Sequence, residues 1–216
     1  MIIPQLRDGP EMGRRERRAG AMVAAAKALF LEHGYDGVSL TQIVRRSGGS
    51  LSTLYDLFGN KLGLLAAVVD AERSDGIGQL SAILSRDDSP ETILRAAATH
   101  LLDAIAEPDF GGLIRLVLSQ ALSSPEFATR VYADNHAPLI DAFVPPFRRW
   151  HEEGRAGFPD PVLSAHIFAG LFFHAPQIRV LFRDHRAPEL YDRQNIIERI
   201  VTMFLAGASA GERVEP

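Results

Sequence analysis

The stretch from Gly37 to Leu64, GVSLTQIVRRSGGSLSTLYDLFGNKLGL, constrains this chain more than any other part of it. Ser39 precedes an apolar-periodic run, and Gln42 stands three residues later. In that Ser-x-x-Gln pattern the hydroxyl and the amide each satisfy a free N–H at a helix start. Leu40, Ile43 and Val44 then recur at spacings of three and four, which marks one apolar helical face. Ser47-Gly48-Gly49 predicts the end of that helix, because glycine takes the left-handed conformation that closes a helix. Ser50 predicts the N-cap of a second helix. In it Leu54, Leu57 and Phe58 face inward, while Ser50, Ser52, Thr53 and Tyr55 point outward. Small hydroxyl side chains at a helix start approach base edges and phosphates closely, and the free N–H groups there favour phosphate oxygens. Lys61, at the start of the next helix, suits a backbone phosphate. This order fits a helix-turn-helix, whose second helix lies in the DNA major groove. The same spacing also describes two ordinary amphipathic helices about a glycine turn, and on spacing alone the two readings stand level.

Charge supports the first reading through its distribution. The net charge of the 216 residues is −4. From Arg14 to Lys61, however, eight basic residues face four acidic ones, a surplus of +4 that leaves −8 for the remainder. A basic end on an acidic body binds DNA locally and stays soluble. Arg14-Arg15-Glu16-Arg17-Arg18 begins or precedes the first helix, and a basic arm there tracks phosphates or enters the minor groove; a solvated charge run is the competing account. The chain has no cysteine, which excludes a disulfide framework and a thiolate zinc site. No apolar run is long enough to span a membrane, and MIIPQLRDGP lacks the apolar core of a signal peptide, so a cytoplasmic protein is expected.

Residues 15 to 64 resemble the N-terminal domain of the TetR family of transcriptional regulators. The resemblance rests on ordered features: a basic segment, then AMVAAAKALFLEHGYDGVSL with Phe30, Gly34, Tyr35 and Ser39, then TQIVRRSGGS, then TLYDLFGNK with Thr53, Leu54, Tyr55, Phe58 and Lys61. It implies that Ser39 and Thr41 approach phosphate, that Leu51, Ser52 and Thr53 lie in the groove, and that Tyr55 and Lys61 hold the backbone. Arg17, Arg18 and Ser50 complete the expected DNA-binding set. Four positions depart from the family pattern. Gly49 replaces a small aliphatic residue, which predicts a less well packed turn. Leu51 replaces a polar or basic residue and suits a thymine methyl or weak base contact. Leu57 replaces an aromatic or His, which puts one phosphate contact in question. Asp56 is acidic near the DNA face, so it points away, pairs with a base such as Arg45, or accepts from a cytosine.

The remainder reads as helix, giving an all-α chain: a helix-turn-helix domain followed by a helical ligand-binding and dimerisation domain. The expected divisions are an arm at 1–13, poorly ordered as free termini are, the DNA-binding domain at 14–60, a connecting helix at 61–88, the effector and dimerisation domain at 89–210, and a tail at 211–216. Ser89-Pro90-Glu91 starts one helix and Pro125 another. Pro138, Pro145 and Pro146 predict breaks or kinks before Trp150. Asp160-Pro161 opens a strongly apolar helix with a kink at Pro176, and Pro188 opens the last helix.

Two apolar faces there are too broad for one small core: Ile167, Phe168, Leu171 and Phe172 on one helix, and Ile196, Ile200, Met203 and Phe204 on the other. Burial within one chain competes with an isologous four-helix dimer, and the resemblance favours the dimer. The resemblance also implies an effector pocket among the middle helices, drawing on Leu102, Ile105, Leu116, Gln120, Phe127, Trp150, Phe173 and His174. Most of these also read as ordinary core. His166 and His174 lie two turns apart, too far for one metal, and His100 with Asp103 is more often a hydrogen-bonded pair, so no metal or cofactor is expected. No catalytic motif is present, which argues against an enzyme. The expectation is a homodimeric repressor on a palindromic operator, released by an unidentified, largely apolar small molecule. An activator and an all-helical protein-binding adaptor are the alternatives.

Overall fold

The computed structural model describes residues 10–182 and 192–210, with side chains at 13–73, 76–172 and 192–208. Residues 1–9 of the expected arm, the tail at 211–216 and the helix start at Pro188 therefore lie outside the described residues. Among the described residues all regular structure is helical. The chain divides into two compact units, residues up to Ala71 and residues from Glu72.

The first unit holds α1 (Pro10–His33), α2 (Leu40–Ser47), α3 (Leu51–Phe58) and the opening turns of α4 (Lys61–Leu84). The basic segment is thus part of a helix. The sequence-read caps form: Ser39 closes a capping box with Gln42, and Gly48 ends α2 at φ 75°. Ser50 caps α3, its Oγ accepting the Thr53 N–H at 3.1 Å. Three helices pack around Met22, Ala26, Phe30, Val38, Ile43 and Leu54, joined by Leu64, Leu65 and Val68 of α4, all buried. Each residue of that size contributes about 1.5–3 kcal/mol on leaving water.

The second unit holds the rest of α4, then α5 (Pro90–Ala106), α6 (Phe110–Ser123), α7 (Pro125–Val131), a π-helical turn (Tyr132–His136), α8 (Ala137–Asp141), α9 (Val144–Glu152), α10 (Pro161–Phe182) and α11 (Arg193–Ala210). Ser89 and Ser124 cap α5 and α7, with prolines in the first turn of each. The break expected near Pro145 and Pro146 falls just ahead of them, between the end of α8 at Asp141 and the start of α9 at Val144. They sit in the first turn of α9, where no intrahelical N–H is needed. Pro176, where a kink is expected, lies within α10 and does not end that helix. Phe143, Phe147, Trp150, Phe158, Phe168 and Phe172 form a buried aromatic core with Leu80, Ile93, Leu94 and Val201. Phe147 stacks on Phe158 at 4.5 Å between centroids, and the His151 Nδ1 accepts the Phe158 N–H at 3.2 Å, which holds that loop residue in place.

Candidate nucleic-acid interface

The hydroxyl residues at the start of α3 are organised before any partner arrives. The Ser50 Oγ lies 3.0 Å from the Ser52 Oγ and 2.8 Å from the Thr53 Oγ1. Leu51, Ser52, Tyr55 and Asp56 are exposed on the outward face, while Leu54 is fully buried beneath them. Tyr55 is 52% exposed on this face. Ser39 and Thr41 are exposed at the start of α2. The Ser39 hydroxyl is already committed, donating to the Gln42 Oε1 at 2.8 Å and accepting the Gln42 N–H at 3.3 Å.

Arg14, Arg15, Arg17 and Arg18 are all exposed on the first turns of α1. Arg14, Arg15 and Arg18 line a concavity of about 530 Å³ with Thr53, Asp56 and Leu57 of α3. Arg17 joins Arg14, Arg18, Met22 and the Ser47–Gly49 turn around a second, of about 170 Å³. The helical start of α1 and the start of α3 therefore face the same space. For Arg14 and Arg15 the sequence leaves a DNA-tracking arm and a solvated charge run level. Helical periodicity, which puts residues 14, 15 and 18 on one side of α1, was the available signal. Asp56, exposed on α3, lines the same concavity as these arginines.

Lys61 opens α4, and its Nζ sits over the Tyr35 ring, 4.3 Å from the centroid. Burial pushes the Tyr35 hydroxyl up to about 12, aided by the charge of Asp36. Burial lowers the Lys61 ammonium below its ordinary value, and Asp36 opposes that shift. The expected turn defect at Gly49 is corrected: a Cβ there would lie 2.2 Å from the Met22 Cε, so Met22 already fills the space.

In the second unit, Leu102, Ile105, Leu116 and Gln120 are half-buried on α5 and α6, Phe127 is buried on α7, and Trp150 belongs to the aromatic core. Phe173 and His174 fall outside the described side chains. Two expected interface residues are corrected. Phe168 and Phe172 are 0% and 1% exposed, covered by the core of their own chain. Ile167, Leu171 and Met203 remain open at 49%, 46% and 73%. Ile196, Ile200 and Phe204 are half-buried, the last two against the same core. His100 faces the Gly76 carbonyl at 2.8 Å, and Asp103 pairs with Arg193, so these two side chains have separate partners.

Comparison with known proteins agrees with this geometry. The family model for bacterial regulatory proteins of the TetR family matches residues 22–68, and that for the C-terminal domain of AefR-like transcriptional repressors matches 92–207. YezE of Bacillus subtilis, an uncharacterized HTH-type transcriptional regulator, is 27% identical over 161 residues, covering 71% of this chain and 81% of that protein. FasR of Mycolicibacterium smegmatis, an HTH-type transcriptional activator, is 30% identical over 125 residues, 58% of this chain and 56% of its own. In fold, the chain matches a TetR-family regulator from Mesorhizobium loti with a TM-score of 0.78, 24% identity and coverage of 90% and 98%. It also matches FadR of Bacillus subtilis in complex with stearoyl-CoA, with a TM-score of 0.69, 15% identity and coverage of 87% and 98%. No helix among the described residues is long and apolar enough to cross a membrane. With its second unit matched over more than half the chain and its helix-turn-helix matched as well, the protein belongs to the TetR family of transcriptional regulators.

Proposed function

We propose that this regulator is a cytoplasmic homodimeric repressor that binds a palindromic operator and leaves it when a small, largely apolar ligand binds in the second unit. The observation that carries the reading is the outward face of α3. Its hydroxyls are pre-arranged, Tyr55 is left open, and the arginines of α1 face the same space. Leu51, Ser52 and Thr53 read base edges, while Ser39, Thr41, Ser50, Tyr55, Lys61, Arg17 and Arg18 hold phosphates. Two copies read two half-sites one helical turn apart, which supplies the specificity that one eight-residue helix lacks. The pocket draws on Leu102, Ile105, Leu116, Gln120 and Phe127, and the stearoyl-CoA complex of FadR supports an apolar effector. Ligand binding favours a spacing of the reading helices that no longer fits consecutive grooves; a coupling of about 1–3 kcal/mol gives roughly 5–150-fold release.

Selection of bound duplexes from a random library, at moderate salt, tests this directly. Enrichment of an inverted repeat is the expected result. A folded protein that enriches no sequence and shows no salt-dependent DNA binding supports an adaptor instead. A ligand that binds tightly and leaves operator affinity unchanged would sink the release mechanism. The likeness to FasR favours activation as the second reading, which a reporter with the operator upstream of a promoter distinguishes.

A further inference from the structure

Lys61 is the one cation of the helix-turn-helix set that the fold holds against an aromatic surface among the described residues. Its Nζ lies 4.3 Å from the centroid of Tyr35 and 6.0 Å from that of Phe30. The two rings contact each other at 5.4 Å, tilted by 37°. Phe30, in the last turns of α1, is 1% exposed and cannot yield. Tyr35, in the turn between α1 and α2, is half-buried against it. The ammonium is therefore seated on a ring that is itself fixed by a core residue. The four-carbon stem of a lysine ordinarily ranges over many rotamers, and freezing them opposes binding. A lysine already seated loses less of that freedom when a partner arrives, which is the general advantage of preorganisation. The ring face attracts the cation through its quadrupole and uses none of its N–H donors as a conventional hydrogen bond would, while the Asp36 carboxylate acts on the same ammonium.

We propose that Tyr35, backed by Phe30, is a positioning residue that holds the Lys61 ammonium for a DNA backbone phosphate, acting through its ring and not its hydroxyl. This rests on the DNA-binding reading of the preceding section. The hydroxyl is not needed for a cation over the ring face, so phenylalanine serves as well as tyrosine. A leucine at the same position fills much of the volume without the quadrupole.

The test measures affinity of the full-length protein for a random-sequence 30-base-pair duplex across a salt series, for the wild type, Tyr35→Phe, Tyr35→Leu, Lys61→Ala and the double variant Tyr35→Leu/Lys61→Ala. Tyr35→Phe is expected to bind within about 2-fold of wild type, and Tyr35→Leu to lose about 2- to 30-fold per protomer, the span of a cation–π contact. Lys61→Ala lowers the salt slope by about one per protomer. On the Lys61→Ala background, Tyr35→Leu is expected to add less than about 2-fold, because its effect runs through the missing ammonium. An equal loss on both backgrounds overturns the proposal and leaves the DNA-binding reading standing, as does a Tyr35→Phe variant as weak as Tyr35→Leu. Absence of salt-dependent binding by the wild type overturns both. Should Tyr35→Leu fail to fold, the ring current decides: the Lys61 ε-methylene protons of the wild type are expected well upfield of ordinary lysine, and an unshifted resonance overturns the seat.

Discussion

Met22 occupies the space that a side chain at position 49 would take. It is 1% exposed, and its Cε would meet a Cβ on Gly49 at 2.2 Å. The two positions are therefore one packing unit spread over α1 and the turn after α2. Gly49→Val alone is expected to destabilise the first unit by about 1–3 kcal/mol through overpacking. Gly49→Val with Met22→Val is expected to recover more than half of that, because the shorter side chain vacates the site. Denaturant midpoints of the single and double variants check it, and strict additivity would count against the pairing. Asp56 presents a second residue-scale question. It is exposed on α3 and lines the concavity of Arg14, Arg15 and Arg18. A carboxylate there repels phosphate while it accepts hydrogen bonds from a cytosine or adenine amino group. Asp56→Asn is expected to strengthen binding to arbitrary DNA by about 2- to 5-fold at low salt, with the gain shrinking as salt rises. Affinity measured at two salt concentrations decides; no change at either would mean that Asp56 lies off the DNA path.

At the scale of elements, local chemistry was readable and long-range chemistry was not. The Ser39–Gln42 box, the Ser50 and Ser89 caps and the Gly48 stop formed where the sequence placed them, because each is settled within a few residues. The seat of Lys61 on Tyr35 was not legible, since it depends on how α4 returns beside the turn after α1. The prolines were half legible: the break ahead of Pro145 and Pro146 is there, but that the two open α9 depends on where its first turn lies. The π-helical turn was also missed. It lies directly ahead of Pro138, whose missing N–H leaves the ladder short of one bond, and no periodicity in the sequence announces it. It carries His136, whose ring lies 5.4 Å from Tyr132. Burial lowers the His136 pKa from the usual 6.5, and the charge of His166 lowers it further. The sign follows from proton counting. Above about pH 6.5 both folded and unfolded chains keep this histidine neutral and it contributes nothing. As pH falls below that value the unfolded chain takes up a proton first, so stability declines until the depressed folded pKa is reached. Melting temperatures of the wild type and His136→Gln between pH 7.5 and 5 are expected to diverge, the variant falling less steeply; parallel curves would remove His136 from the account.

For the whole molecule, the decisive question is what covers the apolar stripe on α10. Leu163, Ile167 and Leu171 recur every four residues at 55%, 49% and 46% exposure, and Met203 of α11 stands open at 73%. Phe168 and Phe172, each next in sequence to one of them, are already in the core. The helix thus has one face packed inward and a second, equally apolar, turned out. An open apolar stripe of this kind marks an interaction surface. Under the proposed function a second copy of the chain covers it, each recognition helix then reading a single half-site. Ile167→Glu with Leu171→Glu places two charges on each side of an isologous contact, so a symmetric dimer meets four at once. Both side chains are about half-exposed in the single chain, so the fold is expected to survive with its helical signal intact. The dimer is expected to dissociate, with mass by light scattering falling to that of one chain. Binding to an inverted repeat is expected to weaken by at least about 100-fold, because losing the dimer separates two half-site energies that had been paid for with one association. Binding to arbitrary DNA should fall far less. A double variant that remains dimeric would place the interface elsewhere on the second unit. A monomeric variant that keeps full operator affinity would instead show that one helix-turn-helix reads the site alone.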